Sequence, residues 1–128
     1  MNKRIIITAS IFGALAVILG AFGAHSLKKI LSPEQMDIWH TAVQYHFYHT
    51  FALLFLSTFA RFKNKIINFS AYCFSIGIFL FSGSLYLMAL KNILVVGSAN
   101  VLGPITPIGG LFFILGWLSL FLAAVRDK

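Results

Sequence analysis

The chain is 128 residues long, 59% hydrophobic and 16% aromatic, with a formal net charge of +7 from ten Lys and Arg against three acids. That length allows one domain, and 10% charged residues, against roughly 25% in a soluble domain, are too few to cover a water-facing surface. Composition therefore excludes a cytosolic enzyme, a disordered regulator and a disulfide scaffold, since the lone Cys73 has no second cysteine to pair with, and leaves an integral membrane protein.

The first apolar stretch, residues 5–24, follows Lys3 and Arg4. Its apolar run, residues 5–22, is 18 residues long. That exceeds a signal-peptide core, so a retained transmembrane helix is expected. About 20 residues at a 1.5 Å rise cross the roughly 30 Å hydrocarbon layer. Ala9, Gly13, Ala16, Gly20 and Gly23 recur at steps of three and four. They form a smooth ridge suited to a closely packed neighbouring helix, or to a homo-oligomer seam between copies of the chain.

The link that follows contains Ser32-Pro33-Glu34-Gln35: an N-cap, a proline in the first turn, and negative charge at the positive end of a helix. The second helix is thus predicted to begin outside the membrane and to continue through a span at residues 38–60, with Trp39 at interfacial depth. A third span covers residues 66–90 and stops at Lys91. Cys73 within it reads as a packed apolar thiol. The last charge-free stretch, residues 92–125, is too long for one crossing. Gly97, Asn100, Gly103, Pro104 and Pro107 predict a break and then a span at about 105–125, with Trp117 as a packing residue. For residues 92–103 an extended third helix, an interfacial turn and a re-entrant piece read alike.

Lys and Arg flank these spans unequally. The amino terminus, the second-to-third link and the carboxyl terminus hold seven (Lys3, Arg4, Arg61, Lys63, Lys65, Arg126, Lys128), and the other side holds three (Lys28, Lys29, Lys91). The positive-inside rule then puts both termini in the cytoplasm. Basic residues in short clusters between apolar runs suit anionic lipid headgroups and not nucleic acid. The expected fold is an all-α membrane protein, one domain over residues 1–128, with four transmembrane helices in an up-and-down bundle.

No carboxylate lies in any span, and no catalytic constellation is found, so no enzyme is expected. The spans do contain histidine. Ionisable groups at membrane depth are costly and suggest inward-facing roles. His46 and His49 share a helix face, and His40, Gln44 and Tyr48 share another stripe. His49 lies about 13 Å deeper than His40. Counting back from Leu90 puts Ser82, Ser84 and Tyr86 at the same depth, with His25 and Thr106 at the outer ends of their helices. The polar groups thus collect in the outer half of the bundle, and the cytoplasmic half is expected to be almost purely apolar. Three uses compete for the cluster: a hydrogen-bonded layer that sets helix register, a pocket for a lipid headgroup or small ligand, and ligation of haem or a metal, for which no third ligand with a recognised spacing follows.

Residues 20–25 (GAFGAH), 42–49, 81–86 (FSGSLY), 104–110 (PITPIGG) and Gly116-Trp117 together resemble a family of small bacterial membrane proteins, domain of unknown function 423. The resemblance covers nearly the whole chain. It implies a four-span protein of the bacterial cytoplasmic (inner) membrane and supplies no activity, substrate or cofactor. It also implies Gln in many relatives at the position of His46, whereas His25, Tyr45 and His49 match the pattern. The expected protein is non-enzymatic and embedded in the lipid bilayer. Its outer-half pocket is built from His25, Gln44, Tyr45, His46, His49, Ser82, Ser84 and Tyr86 and can take a lipid or small ligand. A redox accessory holding haem or metal is the first alternative and a minimal transporter the second.

Overall fold

The computed structural model describes residues 2–59, 65–91, 93 and 99–126, and the described residues contain helix and turn but no strand. Four long helices follow one another: α1 (Lys3–His25), α2 (Pro33–Ser57), α3 (Lys65–Ala89) and α4 (Ala99–Arg126), with a 3-10 turn (Leu27–Lys29) between the first two. Asn2 caps α1 by accepting from the Ile5 amide. At α2 Ser32 and Gln35 form a reciprocal capping box and Pro33 opens the first turn, the start that the sequence motif requires.

Each helix packs chiefly on its sequence neighbours: α1 on α2, α2 on α3, and α3 on α4. The middle helices therefore bury the most. On α2, Trp39, Ala42, His46, His49, Leu53 and Leu56 are buried at alternating steps of three and four, the spacing of a single helix seam. Two apolar clusters result. One joins Phe12, Leu53, Leu56, Phe74, Ile78 and Phe113 across all four helices. The other gathers Leu27, Leu31, Trp39 and Ala89 at the opposite end.

The ridge on α1 lies against α2. Ala9, Ala16 and Gly23 are buried, Gly13 sits next to Thr50, Gly20 next to Val43, and Gly23 under the Trp39 indole. Trp39 is correspondingly 2% exposed and donates from Nε1 to the Leu19 carbonyl at 3.0 Å. It is a buried strut between α1 and α2. The ridge is used within the chain, and a seam between copies finds no support there.

The α3–α4 contact is closer still. Phe113 lies over Gly77, Phe74 over Gly116, and Gly109 meets the backbone of Phe81. At that level α3 carries a π-helical turn, Ile78–Ser82, closed by the Gly83 amide on the Ile78 carbonyl. One extra residue per turn rotates the following side chains. Gly109 admits the wider backbone because it has no Cβ.

Three helices are long and apolar enough to cross a membrane by length and composition: Lys3–Lys29, Lys65–Ala89 and Val101–Arg126. α2 is absent from that set because His40, Gln44, His46 and His49 lower its hydropathy. Connectivity nonetheless obliges it to cross. It starts beside the far end of α1 and finishes at Ser57, whose carbonyl accepts from the Asn2 amide at the near end, 3.0 Å away. Its 25 residues span about 37 Å. The protein is a four-helix membrane bundle.

α4 departs from its expected start. The helix begins at Ala99 and carries Pro104 and Pro107 inside it, where a break was predicted. Prolines are tolerated in membrane helices when neighbours stabilise the weakened ladder, and Gly109 and Thr106 hold this segment against α3. The loop reading therefore fails for residues 99–103, while residues 92 and 94–98 lie outside the described residues.

Candidate functional site

The interior of the bundle holds a layer of paired polar side chains. Among the buried residues, His46 and His49 are each 3% exposed, Ser82 0% and Ser84 3%. Ser82 donates to the Ala42 carbonyl at 2.8 Å, tying α3 to α2. Ser84 donates to the Phe81 carbonyl inside the π turn, and the Thr106 hydroxyl lies 2.6 Å from Ser84 Oγ, tying α3 to α4. His46 Nδ1 and the Tyr86 hydroxyl are 2.9 Å apart, while His46 Nε2 is buried with no hydrogen-bond partner among the described residues.

His49 is held from both sides. Its Nδ1 lies 2.7 Å from the Tyr45 carbonyl, which can only accept. Its Nε2 lies 3.1 Å from Trp117 Nε1, which can only donate. The two partners select one neutral tautomer, with the proton on Nδ1 and the lone pair on Nε2. Phe113 stacks flat on the imidazole at a centroid distance of 3.5 Å, with Phe74 tilted at 5.4 Å on the same residue. An incoming metal would find both nitrogens of His49 engaged.

Of the residues singled out from the sequence, His46, His49, Ser82 and Ser84 are buried, and of these four and Tyr86 only His46 and Tyr86 are bonded to one another. His25 and Gln44 are not buried. His25 is exposed at the end of α1. Gln44 is exposed because it follows buried Ala42 by two residues, about 200° round the helix. Tyr45 is 39% exposed: its carbonyl serves His49, and its ring lies on Phe81 at 4.8 Å.

Tyr45 instead opens onto a groove of about 690 Å³ between α2 and α4. α2 contributes Tyr45, Tyr48 and His49, α3 contributes Phe81, and α4 contributes Pro107, Gly110, Leu111, Phe113, Ile114 and Trp117. Its size lies in the usual range for ligand pockets, and its walls are mainly apolar with a few polar groups at one place. Trp117 is the residue that sequence reasoning missed. It is 46% exposed, yet its Nε1 fixes the imidazole. Only its recurrence with the histidine depth could have signalled this, and one tryptophan in an apolar run gives no such signal. The other end of the bundle is also less apolar than expected: Asn2, Arg4, Thr8, Asn68, Tyr72 and Ser75 line a cleft of about 220 Å³ between α1 and α3.

The profile of a family described as Protein of unknown function (DUF423) matches residues 19–110. The chain belongs to the DUF423 family. This DUF423 protein is 40% identical over 126 residues to the UPF0382 membrane protein YwdK of Bacillus subtilis, covering 97% of this chain and 98% of the relative. It is 38% identical over 124 residues to a UPF0382 membrane protein of Staphylococcus haemolyticus, covering 97% of each. Identity is 37% over 128 residues to one from Haemophilus influenzae, covering 100% of this chain and 98% of the relative. No solved structure matches it. The matched segment, from Leu19 through Gly110, takes in the Trp39 strut, the paired polar layer except for Trp117, and Gly109 at the π turn.

Proposed function

We propose that this DUF423 protein is a non-catalytic protein of the bacterial cytoplasmic membrane, with both termini inside, whose groove between α2 and α4 takes an amphipathic lipid or a small apolar ligand. The observation that carries this reading is the groove itself: apolar walls from α3 and α4, and the Tyr45 and Tyr48 rings with the His49–Trp117 pair grouped on one edge. A ligand with an apolar body and one polar end matches that division. The buried layer behind it acts as scaffold, since each serine in it is spent on a neighbouring carbonyl. A non-catalytic role is supported by the carboxylates of the described residues, Glu34 and Asp37, which are exposed at the start of α2, remote from the buried His46 and His49. The charge bias toward the termini supports the orientation. A metal or haem role gains nothing from His49, whose imidazole is already bonded at both nitrogens, and among the described residues no third His, Cys, Asp or Glu joins His46 and His49.

The test is mass spectrometry of lipids and small molecules that remain with the protein after gentle extraction from its native membrane. Ile114 is 56% exposed on the groove wall, so Ile114→Trp fills the groove without disturbing the core. The expected result is one recurrent species at near one per chain, lost in Ile114→Trp and kept in Val17→Trp, a control on the exposed face of α1. Equal retention by both variants would overturn the groove as a binding site.

A further inference from the structure

We propose that the cleft between α1 and α3, at the end where both helices begin, is a second binding site, built for the phosphate of an anionic phospholipid headgroup. It is separate from the α2–α4 groove and does not rest on it. Arg4 and Thr8, four residues apart on α1, form one wall, and Asn68, Tyr72 and Ser75, spaced by four and three on α3, form the other. Leu53 of α2 closes the floor. Two helices thus turn polar stripes toward one another over an apolar base, in a cleft of about 220 Å³.

Polar groups on the lipid side of a spanning helix are costly unless something pairs with them. Asn68 is exposed and Tyr72 is 68% exposed. Two of the hydroxyls already donate to their own helices, Thr8 to the Arg4 carbonyl at 3.0 Å and Ser75 to the Ala71 carbonyl at 2.8 Å. The donors left for a guest are the Arg4 guanidinium, the Tyr72 hydroxyl and the side-chain amides of Asn68 and Asn2. That set suits a phosphate: the guanidinium presents a planar fork that matches two phosphate oxygens, and the others close round it. Among the described residues the carboxylates lie at the start of α2, at the far end of the bundle, so none of them neutralises Arg4. Depth agrees as well. At the mouth of the cleft Arg4 precedes the first span and Asn68 lies about 3 Å into the third. The charge bias places this end on the cytoplasmic side, where basic clefts between helices meet anionic headgroups.

The experiment is native mass spectrometry of the full chain, titrated with phosphatidylglycerol or phosphatidylcholine of the same acyl chains, with a parallel thermal-shift titration using inorganic phosphate. The expected result is at least fivefold tighter retention of phosphatidylglycerol. That preference should fall to near unity in Arg4→Gln and drop severalfold in Asn68→Leu, and should be unchanged in Arg126→Gln, an exposed cation at the end of α4. Arg4 is exposed, so its replacement leaves the fold intact, and the thermal transition of each variant without added lipid checks this. Equal losses in Arg4→Gln and Arg126→Gln would overturn the cleft and leave diffuse interfacial charge. Stabilisation by inorganic phosphate matching that by the lipid would overturn the lipid in favour of a free anion.

Discussion

Gly109 offers the sharpest test of how this bundle is held together. A Cβ built there would fall 2.3 Å from Phe81 N, 2.7 Å from Phe81 Cα and 2.8 Å from the Leu80 carbonyl carbon. These are backbone atoms and cannot swing aside. Restoring an ordinary contact near 3.4 Å requires α3 and α4 to separate by about 1 Å, and a gap of 0.5–1 Å forfeits roughly a quarter to a half of each dispersion contact along the seam. Overpacking of this kind costs about 1–3 kcal/mol. The better helix propensity of alanine, worth about 0.5–1 kcal/mol, offsets part of it. Gly83 is the matched control on the same π-turn region of α3, because a Cβ there meets nothing within 4 Å. Gly109→Ala should therefore lose about 1–2 kcal/mol, while Gly83→Ala should be neutral or gain up to about 1 kcal/mol. Reversible unfolding in mixed dodecylmaltoside and sodium dodecyl sulfate micelles, followed by circular dichroism, reads both. Equal stability of the two alanine variants would refute the argument that backbone proximity at the π turn specifies the α3–α4 seam.

Other outcomes follow from the same packing. Trp117→Phe strands the buried Nε2 of His49 and should cost about 1 kcal/mol, near the upper range of hydrogen bonds between membrane helices. The same change should cost distinctly less in a His49→Leu background, and a double-mutant cycle of micelle unfolding measures the difference. Gly23→Ala would bring a Cβ to 2.3 Å from Trp39 Nε1, push the indole off the Leu19 carbonyl and destabilise by about 1–3 kcal/mol; a red-shifted tryptophan emission should accompany the loss. Cys73, 2% exposed, should resist maleimide in mild detergent and react fully only after denaturation in sodium dodecyl sulfate; rapid labelling of the folded protein would contradict its burial.

Much of the architecture is legible before any coordinates. Apolar runs of about 20 residues must be helices in a bilayer, because each backbone amide needs a partner that lipid cannot supply. Ser32, Pro33 and Gln35 announce the start of α2 because capping is local chemistry, settled within one turn. The α1 ridge is equally plain as a close-packing surface, since small residues at steps of three and four align on one face. Helical phase also placed His46 and His49 on one buried face of α2; the expected common depth holds for His46 with Tyr86, while His49 lies beside Phe74.

Tertiary structure decided everything that depends on which face meets which neighbour. The ridge serves α2 because Gly23 lies under Trp39, a pairing sixteen residues distant in sequence. Gln44 shares the depth of the polar layer but not its direction, and depth alone carries no azimuth; His25, the last residue of α1, is exposed outside the layer. Pro104 and Pro107 read as breakers, yet α4 runs through them because contacts with α3 support the weakened ladder. The π turn at Ile78–Ser82 has no residue signature of its own. It shifts the phase of α3 by a fraction of a turn, and that shift admits Gly109 and brings Ser84 to Thr106. Composition and periodicity fix what each helix is; the fit between opposed surfaces, a property of pairs of residues distant in sequence, determines what the bundle can hold.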